Sequence, residues 1–440
     1  MRSVTRRMGL AAAATLLMVM LFPAAATAAS KGASDRPKQT RDGIFIAETK
    51  DFNPANGVRS GTGTARDPFV ISGWDVSWIE IKDTDAHVVI TDNVVDSLTL
   101  DWIGGGIAVR NNDVGDLRVN QNRARKGEAT SGVIENNTFD VVGQLRHFDG
   151  VFQNNVVGSK DQMRLPFFDG RAVNFDGFNG SVFRYNTIYG YMDARLHGHH
   201  HSSGFTESSH YHGKTPESHH HAMDMDHTVR YHQVHIYGNK IYSDYFYALA
   251  YLDTNHSGND RTAASETEKT LNDPHIHYTK VFMHDNEFVG SGLFVDIFNA
   301  SDNLHKKGTA RGTFEISDNK IVLQPSADPT MFGVRNGIDV WQATDITLRI
   351  VDNVITGIES TDQVTNLKES TDSVAGINLR DFDKGDLFLS GNSISHTAYG
   401  VRAGDFTETV NWTISELSTS DVGQSVYWDS SVHNAPRQNP

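Results

Sequence analysis

Histidine is the residue type that this chain concentrates most sharply. Of its 21 histidines, twelve fall between His197 and His235, and four more follow by His284. Imidazole is the commonest protein ligand for transition metals, so a tract of this kind reads by composition as a metal-binding segment. The candidate ligands within it are His197, His199, His200, His201, His210, His212, His219, His220, His221 and His227. Met223, Asp224, Met225 and Asp226 stand among them and add thioether and carboxylate donors. Imidazole with carboxylate suits zinc, nickel or cupric copper, and thioether favours cuprous copper; copper or zinc is the expected cargo.

The flanks of the tract are more selective than its triplets. His232 and His235 sit in an alternating stretch, Tyr231-His232-Gln233-Val234-His235-Ile236-Tyr237. His275 and His277 are two residues apart, so on an extended strand they share a face. His284 precedes Asp285-Asn286. If His235 and the pair His275/His277 lie on neighbouring strands, a three-histidine site with an open position is expected. The other reading is a solvated linker with ordinarily hydrogen-bonded strand histidines, or a tract that senses pH by charging in acid.

The elements that position these groups follow from a repeated phrase: a polar residue, Asn, any residue, then Val, Ile or Phe. It is centred on Asn93, Asn137, Asn155, Asn186, Asn239, Asn286, Asn319, Asn353 and Asn392, at spacings from 18 residues (Asn137 to Asn155) to 53 (Asn186 to Asn239). Asn tolerates the left-handed backbone that a sharp corner between strands needs, and the apolar residue two places on points into a core. Between the corners runs a second phrase, Gly-apolar-any-apolar-any, as in Gly292-Leu293-Phe294-Val295-Asp296, Gly337-Ile338-Asp339-Val340-Trp341 and Gly376-Ile377-Asn378-Leu379-Arg380. Alternation by twos with a regular corner predicts an all-β, single-stranded right-handed parallel β-helix with loop insertions and end caps.

Residues 69–394 resemble the pectin-lyase-like superfamily, whose coils turn on stacked Asn residues. The start, Gly63-Thr64-Ala65-Arg66-Asp67-Pro68-Phe69-Val70-Ile71-Ser72-Gly73-Trp74 followed by Asp85-Ala86-His87-Val88-Val89-Ile90, is similar to the opening coils of a narrower group. These are the periplasmic copper-associated β-helix proteins of nitrous-oxide reductase maturation and their secreted relatives. The resemblance implies a fold and carries over no catalytic motif, since this architecture hosts many chemistries.

On such a frame the second phrase turns its non-core residues outward. Stacking the copies gives Phe294 and Asp296, Asp339 and Trp341, Asn378 and Arg380, then Arg402, with Asn174 and Asp176 upstream. Carboxylates, arginines and an aromatic on one rigid face resemble a sugar-binding groove. The alternative to metal binding is therefore a polysaccharide lyase or glycoside hydrolase with Asp296, Asp339, Arg380 and Arg402 as catalytic candidates and Trp341 and Asn378 binding substrate. A third reading is a structural or surface β-helix with no small-molecule site, because outward positions are polar in any case.

Residues 1–29 read as a secretory signal peptide: Arg2, Arg6 and Arg7, an apolar run from Leu10 to Phe22, then small residues around Ala26-Thr27-Ala28. The pair Arg6-Arg7 leaves twin-arginine export open beside the general route. The expected site of action is periplasmic or extracellular, with no membrane span in the mature chain. There is no cysteine, so a large core rather than disulfides must stabilise the fold. About 410 mature residues suffice, and a solenoid core grows in one dimension. The formal charge of −15 becomes −18 when the leader's three arginines are removed, which argues against nucleic acid and favours a metal ion over a polyanionic partner. A polysaccharide remains compatible, and the sequence names no protein partner. The expected organisation is a polar leader and cap at 30–60 and the β-helix at 61–404. Insertions leave it at 196–228 and 254–273, from one edge, and a C-terminal cap and tail fill 405–440. Trp412, Tyr427 and Trp428 are expected to plug the last coil.

Overall fold

Alternation and corners build the same coil again and again. The computed structural model describes residues 38–120, 132–148, 150–161, 171–177, 181–196, 230–244, 247–253, 277–296, 311–325, 336–341, 346–358, 375–382, 384–404, 406, 409–429 and 432. The leader 1–29, nearly all of the insertion 196–228, the insertion 254–273 and the final residues 433–440 lie outside them. All described residues belong to the compact unit Gly32–Pro440. Their strands form a 21-stranded and a 13-stranded sheet. Every strand pair is parallel except Val58–Ser60 with Phe69–Ser72. Successive turns of chain therefore stack strand on strand, as a parallel β-helix requires.

The inward residues make one continuous core. Val234 and Ile236, Ile338 and Val340, and Ile377 and Leu379 are buried in it. Phenylalanines stack inside from coil to coil: Phe139 on Phe152 at 5.9 Å and Phe152 on Phe183 at 4.7 Å between ring centroids. Rings in register continue their contacts along the axis, which flat stacking favours.

The corner asparagines form a buried ladder, and it has ten members rather than nine. Asn112, in Asn111-Asn112-Asp113-Val114, stands between Asn93 and Asn137. Each Oδ1 accepts the preceding ladder residue's backbone N–H and its Nδ2. Asn239 Oδ1, for instance, takes Asn186 N at 3.0 Å and Asn186 Nδ2 at 2.9 Å. Each Nδ2 also donates to a carbonyl of the coil before, as Asn239 does to Phe183 at 3.0 Å. The left-handed residue is not the ladder Asn, contrary to expectation, but the residue before it: Asp92, Asn111, Asn136, Asn154, Tyr185, Asp285, Asp318 and Asp352 have φ between 54° and 58°. The two jobs are thus divided. One residue takes the strained corner, and the next is spent on hydrogen bonds along the stack. Trp74 and Leu417 occupy the ladder position at the two ends.

The ends are closed by aromatics. The strand Gln39–Ile46, inside the expected polar leader, already pairs with Trp74–Thr84. Phe52 stacks on Phe69 at 4.3 Å, and the Arg59 guanidinium lies 3.8 Å from the Trp74 ring centroid. At the other end a further coil, Thr409–Ser415, Ser418–Ser420 and Gln424–Trp428, continues the sheets past Gly404. Trp412 and Trp428 pack against the core and each other at 5.0 Å, as the plug requires. Tyr427 does not join them. It lies in the outward register of Arg402 and meets Tyr399 at 5.1 Å.

Candidate functional site

The outward column read from the second phrase is a physical column. Phe294 pairs in register with Asp339, Asp339 with Asn378, Asn378 with Arg402 and Arg402 with Tyr427. Beside it run Asp296, Trp341 and Arg380. Upstream, Asn174 pairs with Asp193 and Asp193 with Ala250, in the strand that next pairs with Gly292–Asp296. Asp193 is buried and lies 3.8 Å from Arg171. Asp176 stands opposite Arg195. Both sequence insertions attach here: 196–228 follows Tyr191–Leu196, 254–273 follows Tyr247–Asp253, and these strands are neighbours.

The expectation of an exposed face fails at its centre. Asp339 is 1% exposed, Asn378 2% and Phe294 4%, although alternation turns all three away from the core. Asp339 is held from three sides. Its Oδ1 accepts Asn378 Nδ2 at 2.9 Å, and its Oδ2 accepts Asn336 Nδ2 at 3.0 Å and an Arg380 guanidinium N–H at 3.3 Å. Burial pushes the Asp339 carboxyl above its ordinary value, against the pull of Arg380 and the two amides. Among the described residues, two polar atoms in this cluster are buried without a hydrogen-bond partner, Asn378 Oδ1 and Arg380 Nε. One is an acceptor and the other a donor.

The rim is more open. Arg380 is 31% exposed at its side chain, and its guanidinium lies 4.8 Å from the Trp341 ring centroid. Trp341 meets Phe294 edge-on at 6.1 Å and donates its indole N–H to Asp381 Oδ2 at 2.6 Å. Arg402 is half-buried one rung beyond Asn378. Asp296 stands opposite Trp341 in the backbone register.

Sequence reasoning missed Asn336 and Asp381. Asn336 precedes the Gly-apolar phrase by one residue, where pattern reading assigns no face. Asp381 has φ 55° and is followed by buried Phe382. A polar corner residue before an inward apolar one is the signal that could have found it.

The histidines arrange differently from the expected trio. His235 faces outward beside buried Val234, as alternation predicts. His277, however, stands opposite Arg230, five residues before His235. At about 3.3 Å per residue that is roughly 17 Å along the strand, too far to share an ion. His232 stands opposite Thr279, about 10 Å along the strand from His235 by the same rise. His275 and the tract from His197 to His227 lie outside the described residues. Among the described residues no group of three or more His, Asp or Glu is placed to hold a metal ion.

What the strands do bring together is His235 and His284. His235 pairs with Phe282 and His284 with Tyr237, so the two imidazoles stand diagonally on one face of neighbouring strands. His235 stacks on Phe282 and His284 on Tyr237, each at 4.9 Å. His284 Nδ1 lies 2.7 Å from Asp285 Oδ2. Burial, with a smaller contribution from His284, holds the His235 pKa below its ordinary value.

No family model, curated protein or solved structure matches the chain. No helix of the described residues is long and apolar enough to cross a membrane.

Proposed function

We propose that this protein is an exported β-helix of the pectin-lyase-like kind that binds and cleaves a polysaccharide on the outer face centred on Asp339. One observation carries the reading. A buried carboxylate held by three donors sits beside a buried acceptor and a buried donor that have no partner among the described residues. A hydroxyl group both donates and accepts, so a sugar hydroxyl offers partners of both kinds. A carboxyl pushed upward by burial is suited to exchanging a proton with a glycosidic oxygen or a ring carbon, the shared need of hydrolase and lyase. Arg380, Trp341, Asp381 and Arg402 then form the rim that meets the chain. The test is turnover of a polysaccharide panel, read as new reducing ends and as ultraviolet absorbance of unsaturated product, with Asp339→Asn as the variant. Turnover abolished in Asp339→Asn supports the reading, and equal turnover by the variant overturns it.

The histidines support a second reading, capture of copper or zinc. Its support is the diagonal placement of His235 and His284 on one face, with Asp285 orienting the His284 ring as carboxylates orient metal-ligating histidines. Elemental analysis of untagged protein and calorimetric titration with each metal test it. Affinity no better than that of a hexahistidine tag, or unchanged by removal of 196–228 together with His235→Ala, overturns it.

A further inference from the structure

Phe45 and Trp78, 42% and 40% exposed, are large apolar side chains turned to solvent near the N-terminal end. Their rings meet edge-on at 6.3 Å. Trp78 pairs in register with Gly43, and a Cβ built on Gly43 would fall among the indole ring atoms. The indole therefore lies flat on the glycine backbone of the neighbouring strand. Any side chain at position 43 would lift it. Among the described residues no protein group accepts the Trp78 N–H.

Polar residues continue the column of Trp78 on the side away from Gly43. Ser97 is the in-register neighbour of Trp78 there, and Asp116 follows Ser97. Asp116 is anchored by Arg118 at 2.8 Å. Two residues beyond Trp78, Glu80 pairs with Lys82 at 3.2 Å, and the Lys82 ammonium lies 4.8 Å from the Phe45 ring centroid. A flat exposed aromatic ring with a hydroxyl residue one rung away and a carboxylate two rungs away suits a short run of sugar units. A pyranose C–H face lies on the ring, and hydroxyls further along the chain meet the polar residues.

The ring also stands on the face that carries Asp339. Ile79, the core residue after Trp78, lies in one unbroken register row with Leu98, Leu117, Val142, Val173, Met192, Leu249, Leu293 and Ile338, the core residue before Asp339. That is eight rungs, about 40 Å at roughly 4.8 Å per rung. We propose that Trp78, with Phe45 beside it, is a sugar-stacking platform for a distant part of the polysaccharide chain whose other part lies at Asp339. The direction of the chain rests on the polysaccharide reading of the Asp339 face. The platform itself does not.

The test is retardation of the full-length protein in native gels containing hydroxyethylcellulose, xylan, pectate or alginate, with Trp78→Ala and Trp78→Tyr beside wild type. Wild type is expected to be retarded by at least one of these polymers. Trp78→Ala should bind about tenfold more weakly or worse, while Trp78→Tyr, which keeps a flat ring, retains most of the affinity. Trp78→Ala should also cleave short oligosaccharides at the wild-type rate and lose only its advantage on long chains. Retardation that depends on Trp78 without any turnover leaves the platform standing and removes the cleavage reading. No retardation in any gel, or equal retardation of Trp78→Ala, overturns the platform.

Discussion

Asn378 donates to Asp339 Oδ1 at 2.9 Å across one rung of the parallel ladder, while its own buried Oδ1 accepts from no described residue. The two residues occupy the same outward position on successive coils, so the bond exists only because the register is exact over 39 residues of intervening sequence. A polar network left partly unsatisfied costs stability. The relationship ties the fold to the proposed chemistry.

Asn378→Ala removes a donor from a buried carboxylate and should destabilise the protein by about 1–3 kcal/mol. Urea denaturation at neutral pH measures it. A stability within error of wild type would mean that Asp339 is adequately solvated without Asn378.

The raised pKa of Asp339 sets a sign for pH dependence. Between the ordinary aspartate value of 3.8 and the higher folded-state value, the folded protein binds this proton more tightly than the unfolded chain does. Stability from this group is therefore greatest in acid and falls as pH rises through that window, then levels off. Because other carboxylates titrate alike in both proteins, the stability of wild type minus that of Asp339→Asn should fall with rising pH from about 3.8 upward. Urea melts at a series of pH values measure the difference, and a flat or rising one would contradict the assignment.

His235 carries the opposite dependence. Its folded-state pKa lies below the ordinary 6.5, so on acidification the unfolded chain takes up this proton first. The contribution is present above 6.5 and is lost as pH falls from there through the folded value. His235→Gln should remove that loss, so the variant gains on wild type below pH 6.5. Parallel melts that show no gain would count against partial burial of the imidazole beside Phe282.

The ladder should be far more sensitive than the surface. Asn239→Ala strips partners from the backbone N–H of Asn186 and the carbonyl of Phe183, both inside the coil, and should cost about 3 kcal/mol. Asn411→Ala loses one exposed bond to Asp386 and should cost under about 0.5 kcal/mol. Denaturation midpoints compare the two, and similar costs would mean that the ladder is dispensable.

The coil was legible in the sequence because corner and strand phrases recur with fixed side-chain consequences. Asn112 was legible by the same rule, since Asn111-Asn112-Asp113-Val114 has the form of Asn136-Asn137-Thr138-Phe139. The outward column of Phe294, Asp339, Asn378 and Arg402 was legible for the same reason, since each follows its Gly by a fixed offset. Depth was not legible. Asp339 reads as surface by alternation, and its burial and its bond to Asn336 depend on what lies outside the strand pattern. The histidine register was hidden by the insertions, whose lengths say nothing about pairing. The expected trio joined His235 to His275 and His277 and left His284 as a separate candidate, yet the strands set His277 opposite Arg230 and His284 opposite Tyr237.

The most direct measurement is cleavage of a polysaccharide panel by wild type and by Asp339→Asn at equal folded concentration. The account expects product from at least one polymer and at least about a hundredfold lower rate in the variant, the usual scale for losing a proton-transfer group. No product from any polymer, or equal rates in both proteins, would contradict it.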